Sequence, residues 1–126
     1  MINHAEPLAA IAGGSEHVCG YSQTGKVYCL GSNENGQLGL DAGGLVAQPT
    51  YMGLDNIRSI GALSSATCAV DHDGGLWCWG RSYHRNVPLT ATPRRLEGVP
   101  AVASVKGSRD AAIIRLDSGE LYMFDP

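Results

Sequence analysis

The chain is predicted to be all-β, a partial β-propeller of about three four-stranded blades closed by self-association. Three observations carry this. Seventeen glycines are spread along 126 residues instead of clustering, which implies many tight turns. The apolar residues fall in short aromatic or β-branched runs such as "KVYCL", "LWCW" and "ELYMF", bounded by glycine or charge. And the chain repeats itself with a period near 45 residues, the period of propeller blades of four strands.

The repeat appears when the chain is slid along itself. A shift of 49 lays "IAGGSEHVCGYSQTGKVYCLG" on "IGALSSATCAVDHDGGLWCWG", with Ile11/Ile60, Ser15/Ser64, Cys19/Cys68, Gly25/Gly74, Cys29/Cys78 and Gly31/Gly80 identical. A further shift of 45 brings Gly74 onto Gly119, Leu76 onto Leu121, Trp77 onto Tyr122 and Trp79 onto Phe124. The units are set at 8–56, 57–101 and 102–126, the last one incomplete.

Each unit reads as strand, glycine-rich bend, strand, three-residue turn, strand, long loop and short strand. Gln23-Thr24-Gly25, His72-Asp73-Gly74 and Asp117-Ser118-Gly119 fit a hairpin loop in which the glycine supplies the left-handed position. Pro49, Pro88, Pro93 and Pro100 sit between runs, where loops or edge strands tolerate them. Arg94 and Arg95 read as edge-strand charges that discourage further pairing.

Pairing Ser22 with Lys26 across the first turn sets Cys19 opposite Cys29, and the same register sets Cys68 opposite Cys78. Those are non-hydrogen-bonded sites, where Cα atoms approach most closely. The expected disulfides are Cys19–Cys29 and Cys68–Cys78. In the third unit Ile113 and Met123 replace both cysteines together, as a paired role requires. Buried thiols in a reducing compartment are the alternative reading, and zinc is disfavoured because ligands facing each other in mid-strand cannot wrap a tetrahedral ion. Paired cysteines lean towards an extracytoplasmic compartment, although no signal peptide is seen in "MINHAEPLAAIAGG".

With "GSEHVCGYSQTGKVYCLGSNENGQLGL" laid out in this way, the chain resembles the repeats of the regulator of chromosome condensation family. The hallmark ending is present in unit one as Asn33, Gly36, Gln37, Leu38 and Gly39. Unit two keeps "WCWG" but ends in "RSYHRNVPL", and unit three keeps only the hairpin. Two cysteines per repeat resemble bacterial, often secreted, members. The resemblance implies a seven-bladed propeller scaffold. Its members act as guanine-nucleotide exchange factors for a nuclear small GTPase, as chromatin docks, as a light receptor, or as an inhibitor of β-lactamases.

The Asn33–Gly39 segment reads as structural, with Leu38 entering the blade interface and Asn33 and Gln37 tying the local backbone. No catalytic set emerges. His17 reads as a half-buried strand residue and His72 as a solvated turn residue; His4 precedes the first strand. Asp71, Asp73 and Asp117 suit hairpin turns, and Ser64 and Ser65 lack a nucleophile-elbow context. The expectation is a non-enzyme without cofactor or metal. The candidate binding loop is Arg81, Tyr83, His84 and Arg85, where planar donors and aromatics replace the turn motif of unit one.

A formal net charge of -3 lacks the footprint of a nucleic-acid binder, and no apolar run is long enough for a membrane helix. The expected function is therefore a non-enzymatic, protein-binding propeller module. A guanine-nucleotide exchange factor and a structural or engineered fragment of a larger propeller are the alternatives. About three blades cannot close a ring, so the chain is expected to form a homodimer, head to tail, as a six-bladed ring.

Overall fold

The computed structural model describes residues 7–40, 44–81, 92–108 and 111–124. Eleven strands form three separate antiparallel sheets, and no helix occurs among the described residues. Blade 1 comprises β1 (Leu8–Gly13), β2 (His17–Ser22), β3 (Val27–Ser32) and β4 (Leu45–Tyr51), in that spatial order. Blade 2 comprises β5 (Ile57–Ala62), β6 (Ala66–Asp71), β7 (Leu76–Gly80) and the two-residue β8 (Arg94–Arg95). Blade 3 comprises β9 (Val102–Gly107), β10 (Ala112–Leu116) and β11 (Leu121–Phe124). The outer strand of blade 1 is longer than the sequence suggested. Pro49 lies within it, at the sheet edge where its missing N–H breaks no ladder.

The hairpins take the expected register. Ser22 N–H donates to Lys26 C=O at 2.9 Å, and Gly25 N–H returns to Ser22 C=O at 2.9 Å. Asp71 with Gly75 and Leu116 with Glu120 repeat the pattern, and the turn glycines Gly25, Gly74 and Gly119 have φ of 85°, 87° and 93°. A side chain is strained in that region, which is why glycine recurs there. The register brings Cys19 to Cys29 and Cys68 to Cys78 at disulfide-bonding distance, with Cα–Cα separations of 4.1 Å in each pair.

Strand alternation gives each sheet two faces, and the blades stack leading face on trailing face. Cys19, Val27, Cys29, Leu38 and Met52 on the leading side of blade 1 cluster with Ile57, Ile60, Ala69 and Trp79 of blade 2. On the other side of blade 2, Cys68, Val70, Leu76 and Cys78 cluster with Val102, Val105, Ala112 and Ile114 of blade 3. The core is thus two interblade layers. Strand β6 is covered on both faces, which explains why all six residues from Ala66 to Asp71 are buried.

Backbone clasps fix how successive blades meet. Ile57 N–H donates to Gly25 C=O and Val102 N–H donates to Gly74 C=O, both at 3.0 Å, so each hairpin tip holds the first residue of the next blade. Nearer the inner strands, Val105 N–H donates to Ser59 Oγ at 3.0 Å and the same hydroxyl donates to Val105 C=O at 3.3 Å. Arg58 Nη2 adds a bond to Val102 C=O at 2.8 Å and an ion pair with Asp117 at 3.5 Å.

Candidate functional site

The Asn33–Gly39 turn is consumed by packing. Asn33 Oδ1 accepts from Leu38 N–H at 3.0 Å, while its Nδ2 donates to Leu40 C=O at 2.8 Å. Gln37 Oε1 accepts from Asn35 N–H at 2.9 Å, leaving Leu38 fully buried in the joint with blade 2. The turn reaches across to blade 2 through its backbone: Gln37 C=O accepts from Trp79 Nε1 at 2.9 Å and from Thr67 Oγ1 at 2.8 Å.

That second bond settles a tautomer. A hydroxyl has one proton, and Thr67 gives it to Gln37 C=O, which can only accept. The 2.9 Å contact between Thr67 Oγ1 and His17 Nε2 therefore has the imidazole as donor, so Nε2 carries the proton. His17 Nδ1 is left as a buried lone pair without a partner. Burial lowers the His17 pKa below the ordinary histidine range, with the Ala66 backbone offsetting part of that shift. His17 was expected to be half-buried; it is nearly fully buried, because the neighbouring blade covers it. Its geometry fits a neutral link between blades and offers no nucleophile to activate.

Asp71 serves the second hairpin. Its Oδ1 accepts from Asp73 and Gly75 N–H, both at 2.8 Å, and its Oδ2 accepts from Trp77 Nε1 at 2.9 Å. Burial pushes its carboxyl up, but those bonds and the Arg95 charge outweigh burial and hold it below the usual range. His72 is exposed in the turn, as expected, and Arg94 and Arg95 are exposed on the short edge strand.

Of the proposed binding loop, Arg81 is described: it is exposed just past β7, its N–H donating to Ser65 C=O at 2.8 Å. Ser65 also lies 3.5 Å from Asn35 Nδ2, so the loop leaves blade 2 beside the unit-one turn. Tyr83, His84 and Arg85 lie outside the described residues, as does His4. The sequence reading missed a rim cluster on blade 1. Tyr28 and Tyr51 sit 5.8 Å apart, with Lys26 Nζ 5.6 Å from the Tyr51 ring, and the Tyr51 hydroxyl donates to Asp55 at 2.7 Å. Its signal was a tyrosine on each of two neighbouring edge runs, whose pairing requires the β3–β4 register.

Among the described residues, no group of three or more His, Cys, Asp or Glu side chains is placed to hold a metal ion. Among the same residues, no helix is long and apolar enough to cross a membrane.

Comparison with known proteins places the geometry. Two profiles described as the Regulator of chromosome condensation (RCC1) repeat match residues 9–37 and 24–72. The Regulator of chromosome condensation of Mus musculus is 31% identical over 126 aligned positions, covering 91% of this chain and 30% of that protein. The Ultraviolet-B receptor UVR8 of Arabidopsis thaliana is 31% identical, covering 88% of this chain and 26% of that one. Among solved structures, human WBSCR16 superposes with a TM-score of 0.87 at 24% identity, covering 99% of this chain and 34% of that one. Yeast RCC1 (Prp20), solved bound to Kap60, superposes at 0.78 with 25% identity, covering 94% and 32%. The chain thus spans about a third or less of these relatives. With repeat profiles that together span residues 9–72 and relatives 31% identical over most of the chain, the chain belongs to the regulator of chromosome condensation repeat family.

Proposed function

We propose that the chain is a non-enzymatic, protein-binding propeller module that presents Arg81, Tyr83, His84 and Arg85 to a protein partner. One observation carries this reading. The unit-one turn spends its Asn33 and Gln37 side chains on its own backbone, and its Gln37 C=O and Leu38 on the joint with blade 2. Unit two has Asn86 and Val87 at the places of Gln37 and Leu38 but loses Asn33, Gly36 and Gly39, and it carries Arg81, Tyr83, His84 and Arg85 beside them, side chains that supply planar donors and low-entropy contact area. A relative of the same fold, yeast RCC1, was solved bound to another protein, Kap60, which supports a protein partner.

The test is capture of a partner on the full chain, followed by titration of that purified protein. Tyr83→Ala with Arg85→Ala is expected to raise Kd more than about fivefold, a loss of more than ~1 kcal/mol, while the melting temperature stays within about 2 °C. Unchanged affinity with a lowered melting temperature would make the loop structural. Guanine-nucleotide exchange is the second reading, from the resemblance alone. Accelerated nucleotide release from a small GTPase at micromolar chain would favour it, and release at the intrinsic rate would dismiss it.

A further inference from the structure

We infer that the outer edge of blade 2, where Arg94 and Arg95 form β8, docks an extended acidic segment of another polypeptide. The charge distribution of the chain points there. No Asp or Glu occurs in residues 74–96, a stretch that holds Arg81, Arg85, Arg94 and Arg95, while the rest of the chain sets five basic residues against twelve acidic ones. One basic strip thus stands on an otherwise acidic molecule. Attraction along the strip and repulsion around it favour an acidic ligand short enough to stay on the strip. A long polyanion would run onto the acidic remainder.

The fold sets that strip on an open strand edge. The inner strands β1, β5 and β9 line a common groove, and β8 is at the opposite end of the blade 2 order, so neither flanking blade covers it. β8 is two residues long where β4 has seven, and both of its arginines are exposed. Arg95 lies opposite Trp77 and Arg94 opposite Cys78. Leu96 N–H donates to Leu76 C=O at 2.8 Å, so the antiparallel alternation turns the N–H and C=O of Arg95 outward, away from β7. Arg81 is exposed at the end of β7, about 10 Å along the strand from Cys78. Asp71 feels the Arg95 charge, but its oxygens already take the Asp73, Gly75 and Trp77 N–H donors. Among the described residues neither Arg94 nor Arg95 forms an ion pair. Both guanidiniums are therefore open to carboxylates, and the Arg95 amide and carbonyl continue the sheet for a strand laid against them. A basic edge rejects strands of like charge, and an acidic strand reverses that sign.

The experiment is fluorescence anisotropy on the full chain with a labelled peptide of about eight residues alternating Glu and Thr, which is acidic and suited to a strand. Saturable binding is expected, weakened as salt rises from about 0.05 to 0.5 M. Arg94→Gln with Arg95→Gln should raise Kd about fivefold or more while circular dichroism stays that of wild type. Arg94→Lys with Arg95→Lys, which keeps the charge, should recover most of the affinity. The same peptide with Pro in place of each Thr keeps its carboxylates and loses strand donors, and it should bind more weakly. No binding of the Glu/Thr peptide, or an unchanged Kd in the Gln pair, would overturn this docking surface. Equal affinity for the Pro peptide would overturn the strand geometry, and tighter binding of inorganic polyphosphate than of the peptide would overturn the polypeptide as ligand. Tyr83→Ala should leave the Kd of this peptide unchanged, so failure of the loop reading and failure of this one are read from different variants.

Discussion

Replacing Thr67 with Val removes a hydroxyl and keeps the shape, so its effect reports the His17–Thr67–Gln37 link. Thr67 is fully buried and its hydroxyl does two jobs, accepting the His17 Nε2 proton at 2.9 Å and donating to Gln37 C=O at 2.8 Å. Gln37 C=O keeps the Trp79 donor, so it is not orphaned. The His17 N–H loses its Thr67 acceptor inside the joint and keeps only the Ala66 backbone nearby, a loss of up to about 1–3 kcal/mol for a poorly satisfied buried donor. At roughly 4 °C per kcal/mol for a chain of this length, a loss of about 2 kcal/mol lowers the melting temperature by about 8 °C. The assay is thermal unfolding at pH 7.5, with wild type and variant at the same protein concentration. Thr67→Ser keeps the hydroxyl and separates its effect from loss of the methyl.

The same link gives a pH dependence. The folded His17 pKa is depressed, so the unfolded chain takes up a proton that the folded chain refuses. Stability is therefore complete above the unfolded value of about 6.5 and falls as pH drops from there through the folded value. His17→Phe should flatten that part of the profile between about pH 7 and 5. Thr67→Val melting like wild type at pH 7.5 would refute the link. An unchanged slope in His17→Phe would refute the buried neutral histidine.

Two further outcomes are expected. Ser59 bridges blades 2 and 3, but its counterpart between blades 1 and 2 is Ala10, beside a groove of about 390 Å3. Ala10→Ser should supply the missing bridge to Ile60 and add about 0.5–1.5 kcal/mol, seen as a higher urea midpoint; an unchanged or lower midpoint counts against the repeat equivalence. Alkylation without reductant, followed by mass spectrometry, should find all four cysteines blocked, and four alkylated thiols in folded protein would mean the pairs are reduced. Because Cys19, Cys29, Cys68 and Cys78 are buried between blades, reduction should also be slow until the fold is loosened.

Local features were legible and features between blades were not. The turn glycines and the cysteine register follow from hairpin geometry over ten residues, so Gly25, Cys19 and Cys29 could be placed from spacing. Leu38 could be assigned to the interface because an apolar residue in a glycine-rich turn needs a place to bury. His17 was underestimated because its counterparts Ala66 and Ala111 are mute. Its partner Thr67 lies fifty residues away on another sheet, and no strand periodicity reports that distance. Arg58 and Ser59 were missed for the same reason, since both act across the joint to blade 3. In the candidate binding loop, the composition of residues 81–85 was readable from the sequence, and the structure adds the position of Arg81.

The central claim is that one kind of interblade joint, built twice, organises the described blades. Amide hydrogen exchange at Ile57 and Val102 tests it most directly, because their N–H groups hold the two joints by donating to Gly25 and Gly74 C=O. Both should be protected as strongly as the amides within strand β6. Exchange of either one at the unprotected rate, with β6 protected, would contradict the claim.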